Sequence, residues 1–225
     1  MPDVEFEANG GTASGYLAIP ESEKGPGVVV LQEWWGVDDH IKGYCDRFAS
    51  EGFVALAPDL YHGETTEQPD EAQQKMMALN MDQAEKEMRG AVDYLAQHEA
   101  TEGDAVAAVG FCLGGGLAVW AATVNPKVKA VASYYYVMPH GKPDFSKLQG
   151  PVLGHFGTSD DFIPVDDAKG LEKEIEDAGG DATFEFYEGA GHAFANPHDR
   201  LGTYNEEHDR SAWQKTVDFL KRHLS

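Results

Sequence analysis

Cysteine is nearly missing from this chain, with two residues, Cys45 and Cys112, in 225. Two cannot make the disulfide framework of a small secreted domain, and no Cys/His spacing resembles a zinc site. Neither metal nor cofactor is therefore expected, and a lone cysteine in an unusual local setting becomes a nucleophile candidate. Cations are scarce too, 17 Lys and Arg against 39 Asp and Glu, for a formal net charge of −22. Such a field repels nucleic acid and anionic membrane, so neither is expected as a partner. No apolar run approaches the roughly 20 residues that span a bilayer. Residues 1–9 are acidic rather than basic and apolar, so no leader is expected and a cytoplasmic location is. Internal repeats, low-complexity runs and Gly/Ser spacers are lacking as well, which leaves no linker at which to divide the chain.

What is present fits one α/β domain over residues 1–225, long enough to bury a self-sufficient core, as a monomer or small homo-oligomer. Short β-type runs at residues 4–7, 14–19, 27–31, 53–57, 105–110, 130–134, 152–156 and 183–187 alternate with helical patterns. That alternation predicts a mostly parallel sheet of about eight strands with helices on both faces and no large cap domain. The first two runs, with no helix between them, should pair antiparallel at an edge. The Val28-Val29-Val30-Leu31 run is apolar enough to be buried on both faces. Between residues 71 and 98, Met77, Met81, Ala84, Met88, Val92 and Leu95 recur at steps of three and four, predicting one long helix with one core stripe. Trp213, Val217, Leu220 and Leu224 predict a terminal docking helix in the same way.

The run Gly110-Phe111-Cys112-Leu113-Gly114-Gly115 joins an apolar strand to a helix-forming segment. It reads G-x-C-x-G-G where many hydrolases have G-x-S-x-G. In such a turn the glycines let strand and helix approach where a Cβ would clash, and the nucleophile is left at the carboxyl edge of the sheet. The helix amino terminus favours a thiolate at Cys112, and the N–H of Leu113 is placed for an oxyanion. Cys45, in the apolar-polar pattern of residues 41–48, reads as packing.

A thiol nucleophile needs a base, and the base needs a partner that fixes its tautomer. Of nine histidines, His192 lies on a glycine-bracketed loop just beyond a strand and can reach the edge that carries Cys112. His40, His62, His98, His140, His198, His208 and His223 sit in polar surroundings and are expected at the surface. His155 interrupts an apolar strand and is expected as a hydrogen-bonded core residue. For the acid, Asp160 and Asp161 follow another strand; docking of Phe162 inward would turn Asp161 to solvent and favour Asp160. The order nucleophile, acid, base is that of α/β-hydrolases. Upstream, the loop after the most buried strand carries Glu33-Trp34-Trp35-Gly36 and supplies a second oxyanion N–H, that of Trp34. Glu33 either approaches Cys112, raising its pKa and idling the enzyme, or is simply hydrogen-bonded within the loop. Trp35, in the same loop, is a candidate for substrate contact.

These motifs resemble those of the dienelactone hydrolase (carboxymethylenebutenolidase) family nearly from end to end. They are Gln32-Glu33-Trp34-Trp35-Gly36, Pro58-Asp59-Leu60-Tyr61, Gly110-Phe111-Cys112-Leu113-Gly114-Gly115, Gly157-Thr158-Ser159-Asp160 with Ile163-Pro164, and Gly189-Ala190-Gly191-His192-Ala193-Phe194. The resemblance implies an α/β-hydrolase fold, no cofactor, and a Cys112-Asp160-His192 triad. It also implies that Glu33 engages the resting thiol and that the N–H groups of Trp34 and Leu113 form the oxyanion hole. One departure bears on substrate. The best-known members carry an arginine four residues after the histidine, pairing with a substrate carboxylate, and here that residue is Asn196. An amide does not replace a guanidinium's bidentate charge; Lys75 and Arg200 are the cations that could compensate.

The expected function is opening of a small lactone or ester through a Cys112 thioester. A carboxylesterase or thioesterase on neutral acyl groups is the alternative, followed by a non-catalytic ligand-binding module. The acid excess has two readings, a solvated surface or adaptation to high salt. A melting curve against KCl separates them: a solvated surface gives a melting temperature that levels off near physiological salt, and a halophilic chain one that keeps rising as self-repulsion is screened.

Overall fold

The computed structural model describes residues 3–224. Eight strands form one sheet: β1 Asp3–Glu7, β2 Thr12–Ala18, β3 Gly25–Leu31, β4 Val54–Pro58, β5 Thr101–Phe111, β6 Val128–Tyr134, β7 Val152–Gly157 and β8 Ala182–Tyr187. Their order is β1-β2-β4-β3-β5-β6-β7-β8. β1 and β2 pair antiparallel, β2 joins β4 antiparallel, and every later pairing is parallel. All eight strands expected from the sequence are present, with ends shifted by a few residues.

Helices cover both faces. α1 Asp39–Ser50 and α6 Glu206–His223 pack one side, and α3 Met81–Gln97, α4 Leu113–Val124 and α5 Val165–Asp177 the other. β3 divides its side chains between the two cores as expected: Val29 and Leu31 enter one, Val28 and Val30 the other, all fully buried. Each such burial contributes about 2 kcal/mol, so β3 is anchored from both sides and the loop that follows it starts from a fixed point. His155 on β7 is the hydrogen-bonded core residue anticipated. Nδ1 meets the Tyr187 hydroxyl and Nε2 the Thr216 hydroxyl, each at 2.9 Å, and burial pushes its pKa down to about 3. It is a neutral link between β7, β8 and α6.

The single long helix expected over residues 71–98 is two: α2 Pro69–Ala78, then α3. Between them Asn80 adopts extended backbone, and its side chain accepts from the Gln83 N–H at 3.1 Å. Asn80 and Gln83 have the spacing of a capping box, a start signal that the hydrophobic stripe hides. Met77, assigned to the core stripe, is 56% exposed because the break turns α2 out of register with α3. Asn80→Ala should therefore cost about 1 kcal/mol, read as a lower urea midpoint with an unchanged slope.

Candidate active site

The parallel strands β3, β5, β6, β7 and β8 end at the same edge, so the loops after them share one rim. Cys112 closes β5 and caps α4 with φ +55°. A Cβ on Gly110 would strike the Gly114 carbonyl, and one on Gly114 the Leu31 carbonyl. The two glycines thus allow α4 to start directly beneath β5 and beside the end of β3. The left-handed backbone at Cys112 is gripped on both sides: its N–H donates to the Tyr134 carbonyl at 3.0 Å and its carbonyl accepts from the Val137 N–H at 3.1 Å.

Asp160 follows β7 and His192 follows β8. Asp160 Oδ2 accepts from His192 Nδ1 at 2.8 Å, with both side chains buried. Asp160 Oδ1 accepts from the N–H groups of Phe162 and Ile163 at 2.8 and 3.0 Å, which holds the carboxylate in place. The two loops are also tied to each other, Ser159 N–H to the Ala190 carbonyl at 2.9 Å. With Nδ1 donating to a carboxylate, Nε2 is left as the acceptor face of the imidazole. The expected orientation of Phe162 is corrected. It is 57% exposed, its ring 4.8 Å from that of His192, and it is the paired backbone N–H groups, not inward docking of Phe162, that turn Asp160 inward.

Cys112 and His192 make no hydrogen bond among the described residues. The sulfur lies near the N–H groups of Leu113 and Trp34. Those donors favour a thiolate, as the helix terminus was expected to. Burial comes first among the opposing effects and the charge of Glu33 second, and together they push the Cys112 pKa up. The helix-terminus expectation is thus outweighed by desolvation.

Glu33 is buried against this group. Its Oε2 accepts from the Asn196 amide at 2.7 Å. Desolvation, then the charge of Asp38, raise its pKa to about 8, against smaller lowering by Asn196, Arg200 and Tyr135. Asn196 is buried with both ends of its amide engaged, since its Oδ1 accepts from the His198 N–H at 3.0 Å. Trp35 is also buried, edge-on to Trp34 at 4.9 Å and beneath the Arg200 guanidinium. Of the two candidate cations, Lys75 pairs with Glu64 and Arg200 with Asp38 at 2.7 Å. His40, expected at the surface, is buried against Tyr44 and Phe111, and burial brings its pKa down to about 3.

Two residues at the rim escaped sequence reasoning. Tyr135, after β6, has φ +39° and is fully buried with its ring 5.0 Å from that of His192; its hydroxyl lies beside Glu33. Tyr61, after β4, buries an unpartnered hydroxyl within electrostatic reach of Cys112. The Tyr134-Tyr135-Tyr136 run at a strand end was the available signal for the first. Among the described residues no group of three or more His, Cys, Asp or Glu could hold a metal ion, and no helix is long and apolar enough to cross a membrane.

A parallel sheet with a left-handed residue at the strand-to-helix turn, and an acid and a histidine on later strand ends, defines an α/β-hydrolase. The family model of the dienelactone hydrolase family matches residues 13–224, and the chain belongs to that family; it is a carboxylic ester hydrolase. It is 35% identical to Protein usf of Aquifex pyrophilus, over 99% of this chain and 98% of that one. It is 32% identical to a putative carboxymethylenebutenolidase of Aquifex aeolicus, over 98% of each. A putative dienelactone hydrolase structure from Klebsiella pneumoniae superposes with a TM-score of 0.87 at 27% identity, covering 98% of both chains.

The buried carboxyl makes stability depend on pH. Glu33 holds a proton up to about pH 8 when folded against an ordinary 4.5, so the folded state binds the extra proton between those values. Its contribution is full below 4.5 and is lost as pH rises through 8. The melting temperature should fall between about pH 5 and 8 and level off above, and Glu33→Gln should flatten that fall by about half or more.

Proposed function

We propose that the chain hydrolyses small lactones or esters through a thioester on Cys112, with His192 as base and Asp160 as its orienting partner. Three features support this reading: a cysteine in a strained strand-to-helix turn, a buried His192–Asp160 pair on neighbouring loops, and two backbone N–H groups converging on the sulfur. The last carries most weight. A cradle of two N–H groups is what a carbonyl oxygen needs as it becomes an oxyanion, and the resting sulfur lies beside it.

One cradle cannot hold both atoms. The substrate carbonyl therefore displaces the sulfur, which rotates about its Cα–Cβ bond toward His192. The thiol proton passes to His192 Nε2, and Asp160 stabilises the imidazolium. Sulfur attacks the carbonyl carbon, forming the C–S bond, while the developing oxyanion accepts from Trp34 and Leu113. As the tetrahedral adduct collapses, the C–O bond to the leaving oxygen breaks and His192 returns the proton to it. Water then attacks the thioester, giving its proton to His192; the C–S bond breaks and the sulfur recovers a proton. A lactone suits this cycle because its leaving group stays tethered, and because a thiolate, a weaker base than an alkoxide, works best on an activated acyl group.

Until displacement, burial keeps the thiol protonated, which suppresses oxidation and alkylation of an idle nucleophile. This argues against a redox-sensing thiol, which needs an exposed, low-pKa sulfur. Cys112→Ala should reduce turnover of p-nitrophenyl acetate to the background rate, and acid quenching of the parent enzyme should recover an acetyl group on the Cys112 peptide. Turnover within about threefold of the parent enzyme's would remove the nucleophile assignment.

A further inference from the structure

We infer that the site takes uncharged acyl substrates and rejects carboxylated ones, because the guanidinium beside it, that of Arg200, is already neutralised by Asp38. The inference rests on the ester-hydrolase reading above and names the substrate class for that same site.

Arg200 is the cation whose charge bears on Glu33. Its Nη1 donates to Asp38 Oδ2 at 2.7 Å, Nη2 lies 3.6 Å from Glu67, and the plane rests over Trp35 with its carbon 5.0 Å from the ring centroid. Both partners are largely covered, 17% and 10% exposed, so the pair is fixed. Opening it to bind a new anion would leave Asp38 uncompensated. Asp38 is itself committed, since Oδ1 caps α1 by accepting from the Ile41 N–H at 3.2 Å. Lys75 is committed to Glu64, and the Asn196 amide to Glu33 and His198.

What the rim offers is neutral hydrogen-bonding capacity. The Tyr61 hydroxyl and Gln32 Nε2 are buried without partners, and burial keeps the Tyr61 phenol protonated by pushing its pKa up. A carboxylate entering beside Cys112 would be desolvated where the charge of Asp160 already disfavours an anion, while Arg200 and Lys75 are held by carboxylates of their own, and that is costly. A carbonyl or amide oxygen in the same place would find donors instead.

The test compares p-nitrophenyl hydrogen adipate with p-nitrophenyl adipamate, which differ by a terminal carboxylate against a carboxamide of the same shape. The amide should be favoured in kcat/KM by about tenfold or more, in 0.1 M and in 1 M KCl alike, because buried charges are screened far less than exposed ones. Asp38→Asn keeps a side chain that caps α1 equally well but frees Arg200. It should narrow the preference by about fivefold or more while the amide rate changes little. Equal rates on the two esters in the parent enzyme would overturn the inference with the hydrolytic reading intact. So would a preference that vanishes in 1 M salt, which would trace it to the net charge of −22, or a preference unmoved by Asp38→Asn. Turnover of neither ester would remove the hydrolytic reading and this inference together.

Discussion

The site depends on one close approach. Where β5 passes into α4 there is no room for a Cβ at Gly110 or Gly114. The helix therefore begins directly under the strand and against the end of β3. That contact forces the left-handed conformation on Cys112 and brings the loop after β3 alongside it, so that N–H groups from two segments, Leu113 and Trp34, face one atom. Widening the approach by a methyl group would move these two N–H groups apart.

The same approach carries an electrostatic cost. A carboxyl and a thiol are both desolvated, and burial is the largest effect disfavouring ionisation of each. A neutral amide, Asn196, holds Glu33 where a guanidinium would have fixed it as an anion. The buried group is consequently a neutral acid over most of the physiological range rather than half of an ion pair. Burying one unpaired carboxylate costs several kcal/mol; retaining its proton is the cheaper solution, and it leaves the resting centre with no net charge at the sulfur.

Much of this was legible in the residues, for identifiable reasons. Strand positions followed from apolar runs bounded by turns, and the rim from the rule that loops after parallel strands emerge on one side. The convergence of Cys112, Asp160 and His192 segments on that rim needed only chain order. The break at Asn80 was missed because hydrophobic period runs through it, although the cap signal stood in the sequence. The burial of His40 was missed because its flanks are polar while its own helix face is not. The orientation of Phe162 was missed because an aromatic was assumed to seek the core, when its backbone N–H was needed by Asp160. Pairings such as Arg200 with Asp38 span 162 positions, and no local pattern reveals them.

Tyr135 shows how the strained backbone at Cys112 is contained. A bulky residue at φ +39° costs of order 1–3 kcal/mol and persists only where its surroundings determine it. Here the residues on either side of it hold Cys112, Tyr134 through its carbonyl and Val137 through its N–H, while the N–H of Tyr135 donates to the His155 carbonyl at 2.8 Å. Cys112 and Tyr135 are thus two positive-φ residues in one short stretch of backbone hydrogen bonds, those of Cys112 made to the segment that carries Tyr135. Because β6 lies between β5 and β7, the ring of Tyr135 fills the gap between the sulfur's strand and the imidazole and bears on His192. The segment that holds the backbone of Cys112 thus also packs against the imidazole of His192.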